Sequence, residues 1–135
     1  MTYLPKIDWD EMMKVRIREV TDEQTLHLVV KALIVQRIYL KHQKDRNYIK
    51  IYTEFPVGDK SEAICDVYYE SAKDKEVICY EIQKEITKEW LDSKTKFYKN
   101  LTIPYTNSVD WILVDLSKCP HTIKELKEYL DTIVI

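Results

Sequence analysis

Glycine is nearly missing from this chain: of 135 residues only Gly58 is one. A single glycine leaves no room for a phosphate-cradling Walker loop or a dinucleotide fingerprint, both of which need several. No apolar run reaches the eighteen or so residues a membrane-spanning helix needs. The opening Met-Thr-Tyr-Leu-Pro-Lys does not read as a signal peptide. Cysteine is sparse and odd in number, at Cys65, Cys79 and Cys119. With no C-x-x-C spacing, reduced thiols and a cytoplasmic setting are expected. Neither sign of charge dominates, since 21 basic and 23 acidic residues leave a net −2. A general basic coat for nucleic acid is therefore excluded, and any such contact needs a local patch. What is abundant is tyrosine, with ten residues, together with Lys, Glu and Ile. Few flexible positions and many charges fit a thermophilic source.

The length suits one domain spanning residues 1–135, with residues 1–20 an arm or short helix. In that arm Trp9, Met12 and Met13 could pack on the body, and Lys14, Arg16 and Arg18 alternate with apolar residues. From Thr21 or Asp22, either of which can cap, Leu26, Val29, Val30, Leu33, Ile34 and Leu40 recur at threes and fours, with Gln24 placed for a capping box. That spacing predicts a helix to about Lys44. Glu23 lies beside its apolar stripe, and His27 reads as a structural or surface histidine. Asn47–Phe55 alternates as a first strand ending near Glu54, and Ala63–Tyr69 reads as a second. A third begins at Val77. A helix over about Thr87–Leu101 places Lys94 among Trp90, Phe97 and Tyr98, its stem able to snorkel toward the sheet. Val109–Leu116 is a continuous apolar run, as expected of a strand buried on both faces. A last helix runs from Thr122 to Ile133.

The stretch Val77-Ile78-Cys79-Tyr80-Glu81-Ile82-Gln83-Lys84-Glu85 carries the chemistry. If the hairpin joining it to the preceding strand folds symmetrically about Lys73–Asp74, facing residue numbers sum to 147. Asp66 then lies opposite Glu81 on one side of the sheet, where like charges repel. A hard divalent cation between them would resolve the conflict. Two acids on the wet face of an ordinary hairpin are the bland alternative, and the residues alone leave both open.

The order helix, three-strand meander, helix, strand, helix, with Asp66 in the second strand and Glu81-Ile82-Gln83 in the third, resembles the PD-(D/E)xK nuclease superfamily. The archaeal Holliday-junction resolvases and related archaeal-virus nucleases are similar over roughly Asp22 to Ile135. The resemblance implies an α/β restriction-endonuclease-like core: a central mixed four-stranded sheet with a three-strand meander and helices on both faces. It implies a Mg2+- or Mn2+-dependent DNA endonuclease, a homodimer acting on junctions or branched DNA, in the cytoplasm or that of a host. Asp66, Glu81 and the Ile82 carbonyl would hold the metal, and Glu23 is a candidate for the glutamate that resolvase-like members contribute from the first helix. Where most members carry lysine this chain has Gln83, as in E-x-Q variants. Gln83 or a migrated Lys94 would then position water, while Lys84, Lys88, Lys96 and Lys99 would meet phosphates. A binding module that has lost cleavage, or a viral or plasmid interaction protein, is the alternative on the same fold.

Overall fold

Helix α1 (Glu23–Lys41) starts where Asp22 caps it, its carboxylate accepting from the Thr25 N–H. Leu26, Val29, Val30, Leu33, Ile34 and Ile38 bury one stripe. The helix stops three residues short of the predicted Lys44, because His42 leaves helical geometry while its N–H still reaches the Ile38 carbonyl. The computed structural model describes residues 22–58, 63–103, 106 and 108–134. The N-terminal arm, with Trp9 and its basic residues, lies outside them, as does the capping alternative Thr21.

A single 3-10 turn, Arg46–Tyr48, leads into β1 (Ile49–Val57). Strands β2 (Ala63–Ser71) and β3 (Glu76–Gln83) complete an antiparallel meander. Helix α2 (Lys88–Asn100), capped by Thr87, crosses to β4 (Ser108–Asp115), which runs parallel to β3. Helix α3 (Ile123–Asp131) is capped by Thr122, whose hydroxyl accepts from the Glu125 N–H. The molecule is thus α/β, with a mixed open sheet ordered β1-β2-β3-β4.

The sheet has two different cores. On one side α1 and α3 pack on Val67, Tyr69, Ile78, Tyr80, Ile82 and Val114. On the other, Tyr98 of α2 packs on Val57, Cys65, Tyr68, Val77 and Cys79. Each fully buried large apolar side chain contributes about 1.5–3 kcal/mol, so these two layers set the fold. Lys41 ties the helical layer together by donating to the carbonyls of Asp131 and Val134 at the end of α3.

The strands do not keep one face throughout. Ile49 and Ile51 of β1 belong to the α1 side, yet Phe55 and Val57, of the same parity, belong to the α2 side. Between them Glu54 has φ 51°, a left-handed conformation costly to a residue with a Cβ. β2 changes sides in step: Val67 and Tyr69 face α1, whereas Ala63 and Cys65 face α2. The residue at that change is Asp66.

The apolar run in β4 does not mark a strand buried on both faces. β4 forms the sheet edge, and of its described side chains only Val114 is fully buried, with Trp111, Ile112 and Leu113 half-buried. Its hydrophobicity serves two half-covered faces beneath α2 and α3.

Candidate functional site: a fork between two strands

The β2–β3 hairpin pairs as a sum of 147 requires, from Ser71↔Glu76 to Val67↔Tyr80. There the ladder ends. β2 continues against β1, through Cys65↔Phe55 to Ala63↔Val57, while β3 continues against β4, through Glu81↔Leu113 to Gln83↔Asp115. Asp66 and Glu81 are the first residues past the parting, one on each branch.

A fork leaves backbone groups without ladder partners, and buried ones must find others. Asp66 supplies one: its Oδ2 accepts from the Ile82 N–H at 2.7 Å, bridging the gap. The Cys65 thiol supplies another, donating to the Val67 carbonyl at 2.9 Å. Asp66 Oδ1 lies 3.5 Å from His27 Nε2 on α1. Burial pushes the Asp66 carboxyl above its ordinary range, against the pull of the Ile82 N–H and of His27, while Glu54 adds to the rise.

Glu81 faces the other helix. It is 4% exposed, and its Oε1 accepts from Tyr98 Oη at 2.5 Å and from Lys94 Nζ at 3.2 Å. Burial again raises the carboxyl pKa, opposed by Tyr98 and Lys94 and reinforced by the charge of Asp66. Trp90, Lys94 and Tyr98 fall at intervals of four, so one stripe of α2 delivers all three. Lys94 Nζ also lies 6.0 Å from the Trp90 ring centroid. The two acids thus feel each other electrostatically but bind separate partners, Asp66 toward α1 and Glu81 toward α2.

A matching stripe runs along α1. Glu23, His27 and Lys31, again four apart, reach Lys84 beyond β3, Asp66 on β2 and Glu54 on β1. The Glu23–Lys84 pair, at 3.5 Å, is half exposed and worth little by itself. Sequence reasoning named Glu23 and Lys84 separately, gave His27 a bland role, and missed Lys31 and Tyr98. The spacing of four was visible in each case. What was invisible was the sheet residue each would meet.

The remaining predicted residues are more peripheral. The Gln83 amide donates to the Glu85 carbonyl, closing the end of β3. Lys88, Lys96 and Lys99 are exposed on α2. Lys96 also lines a pocket of about 400 Å³ with Gly58, Ser93, Phe97, Asn100, Leu101 and Thr102, a lining that includes neither Asp66 nor Glu81.

Among the described residues no group of three or more His, Cys, Asp or Glu side chains is arranged to hold a metal ion. The fork offers less than that: two carboxylates in a partly buried place. Such a hard, oxygen-only pair fits magnesium or manganese, which take one or two carboxylates and keep several waters. It does not fit zinc, which wants four closely set ligands. No described helix is long and apolar enough to cross a membrane. No family model, curated protein or solved structure matches the chain.

Proposed function

We propose that the protein is a metal-dependent DNA endonuclease on a restriction-endonuclease-like core, with its centre at the strand fork. The observation that carries this reading is the placement of Asp66 and Glu81 on the two branches of one fork, both with raised carboxyl pKa and with Lys94 beside Glu81. Carboxylates so placed resist ionisation unless a cation joins them.

In this reading Asp66 and Glu81, with the Ile82 carbonyl, would hold a magnesium or manganese ion. When bound, the ion would neutralise phosphoryl charge and lower the pKa of water near it. His27 orients Asp66 from α1. Lys94, held between Glu81 and the Trp90 ring, takes the part of the motif lysine, since the Gln83 amide is engaged at Glu85. Its ammonium would stabilise charge developing on the phosphoryl group. Lys84 at the rim, with Lys88, Lys96 and Lys99 on α2, would meet backbone phosphates and fix the DNA strand without reading bases. A two-fold homodimer would present two such forks to a symmetric substrate.

A second reading has its own support. Glu81 is almost fully buried and already carries two donors, an arrangement equally suited to a DNA-binding module without cleavage. Incubation of purified protein with supercoiled plasmid, linear duplex and a four-way junction, in Mn2+, Mg2+ or EDTA, separates the two. Nicking that requires metal and vanishes in Asp66→Asn supports the enzyme. Binding without cleavage in every metal leaves only the module.

A further inference from the structure

We propose that Tyr98 is a positioning residue for Glu81: its hydroxyl joins Lys94 on Oε1 and fixes the orientation in which the carboxylate would meet a divalent cation at the fork. The inference rests on the reading of the fork as a metal site and goes beyond it by naming what sets the carboxylate's orientation.

The argument begins with lone pairs. Each oxygen of a carboxylate accepts about two hydrogen bonds. Oε1 has both places taken, by Tyr98 Oη at 2.5 Å and Lys94 Nζ at 3.2 Å. These donors sit one turn apart on α2 and so approach the same oxygen from adjacent levels.

The Tyr98 ring is unable to wander. It is 3% exposed, stacks on Trp111 with centroids 5.2 Å apart and planes 13° from parallel, and meets Phe97 edge-on at 5.1 Å. Trp111 is itself registered opposite Cys79 on β3, two residues from Glu81. The stack therefore aims the hydroxyl from the same strand pair that carries its acceptor. Packing alone would be served by phenylalanine, because a buried hydroxyl costs free energy unless bonded. In this position the hydroxyl has one carboxylate to serve, Glu81.

Full-length protein titrated with Mn2+, read by calorimetry and by thermal shift, tests this. Tyr98→Phe keeps the ring, so its melting temperature in EDTA should change by no more than a few degrees. Its Mn2+ midpoint should rise about 10-fold, the effect of one hydrogen bond to a charged group. On a cleavable DNA, kcat should fall while KM stays put. Trp111→Leu keeps the hydroxyl but removes the plate that aims it, and should move the Mn2+ midpoint the same way. A wild-type midpoint in Tyr98→Phe overturns the proposal, as does one in Trp111→Leu if Tyr98→Phe does not fold. Wild-type protein that takes up no Mn2+ overturns the metal reading of the fork, and this inference falls with it. Wild-type protein that binds Mn2+ while both variants bind it equally well overturns only the role of Tyr98.

Discussion

Replacing Asp66 in two different ways separates its structural use from its charge. Its Oδ2 satisfies the Ile82 N–H at the fork, at 2.7 Å. Asp66→Ala strands that donor in a partly buried place, which costs about 1–3 kcal/mol. For a chain of this length each kcal/mol moves the melting temperature by about 3–4 °C, so a drop of about 3–12 °C is expected. Asp66→Asn keeps an oxygen for the Ile82 N–H and removes only the charge. That charge is held at a cost: burial raises the Asp66 carboxyl pKa more than Ile82, His27 and Lys31 lower it. An acid whose folded pKa lies above its unfolded value loses stability as pH rises through the folded pKa, and loses none below the unfolded one. At pH 7 Asp66→Asn should therefore melt at or above wild type. The gap should close as pH falls toward about 4, the unfolded aspartate range. Saturating Mn2+ at pH 7 should reverse the order, since ligand at 100 times its Kd adds about 2.7 kcal/mol to a protein that binds it. Melting curves followed by circular dichroism at both pH values, with and without metal, are sufficient. An Asp66→Asn protein that melts as low as Asp66→Ala at pH 7 refutes the argument.

Other expectations are simpler to check. If the fork is a nuclease centre, Lys94→Met should lower kcat for DNA cleavage by about 100-fold or more, well beyond the shift in Mn2+ midpoint of about 10-fold that losing one donor to Glu81 brings in calorimetry. Lys75, in the β2–β3 turn, has φ 52°, so Lys75→Gly relieves about 1–2 kcal/mol of left-handed strain against about 0.5–1 kcal/mol of added chain entropy, and the melting temperature should rise by no more than about 5 °C. Thr87→Ala removes the acceptor for the Trp90 N–H at the start of α2 and should cost about 1 kcal/mol in urea unfolding. All three thiols are buried; burial raises Cys119 to about 11, and its hydrogen bond with Cys79 together with burial pushes Cys65 up further. A disulfide-exchange dye at pH 8 should thus titrate none of them until denaturant is added, and rapid labelling of Cys65 in the native protein would contradict the buried fork.

What could be seen in advance, and what could not, follows from how far each interaction reaches along the chain. The helix caps at Thr87 and Thr122 and the hairpin sum of 147 depend on neighbours within a few residues, and the observed ladder keeps that sum from Ser71↔Glu76 to Val67↔Tyr80. The strict alternation that put Asp66 and Glu81 on one face fails for a reason local sequence hides. Glu54, not glycine, adopts the left-handed conformation where β1 and β2 change sides, and its carboxylate pairs with Lys31 on a helix more than twenty residues earlier. That change of sides aims Asp66 at His27, a residue that periodicity alone assigns to the helix surface. Lys94 was legible because its helix packs on the adjoining strand pair, and the loop between β3 and α2 is too short to carry it elsewhere. Tyr98 was hidden by its own ring, which fits the apolar stripe so well that the hydroxyl drew no notice. The fork itself is the common cause. Where β2 leaves β3, backbone groups lose their partners, and polar side chains that a regular sheet would send to solvent are drawn inward to replace them. The same parting that has Asp66 bond Ile82 turns its carboxylate toward His27 on α1, while Glu81 turns to Lys94 and Tyr98 on α2, so the surroundings of both acids are set by a feature that no local pattern reports.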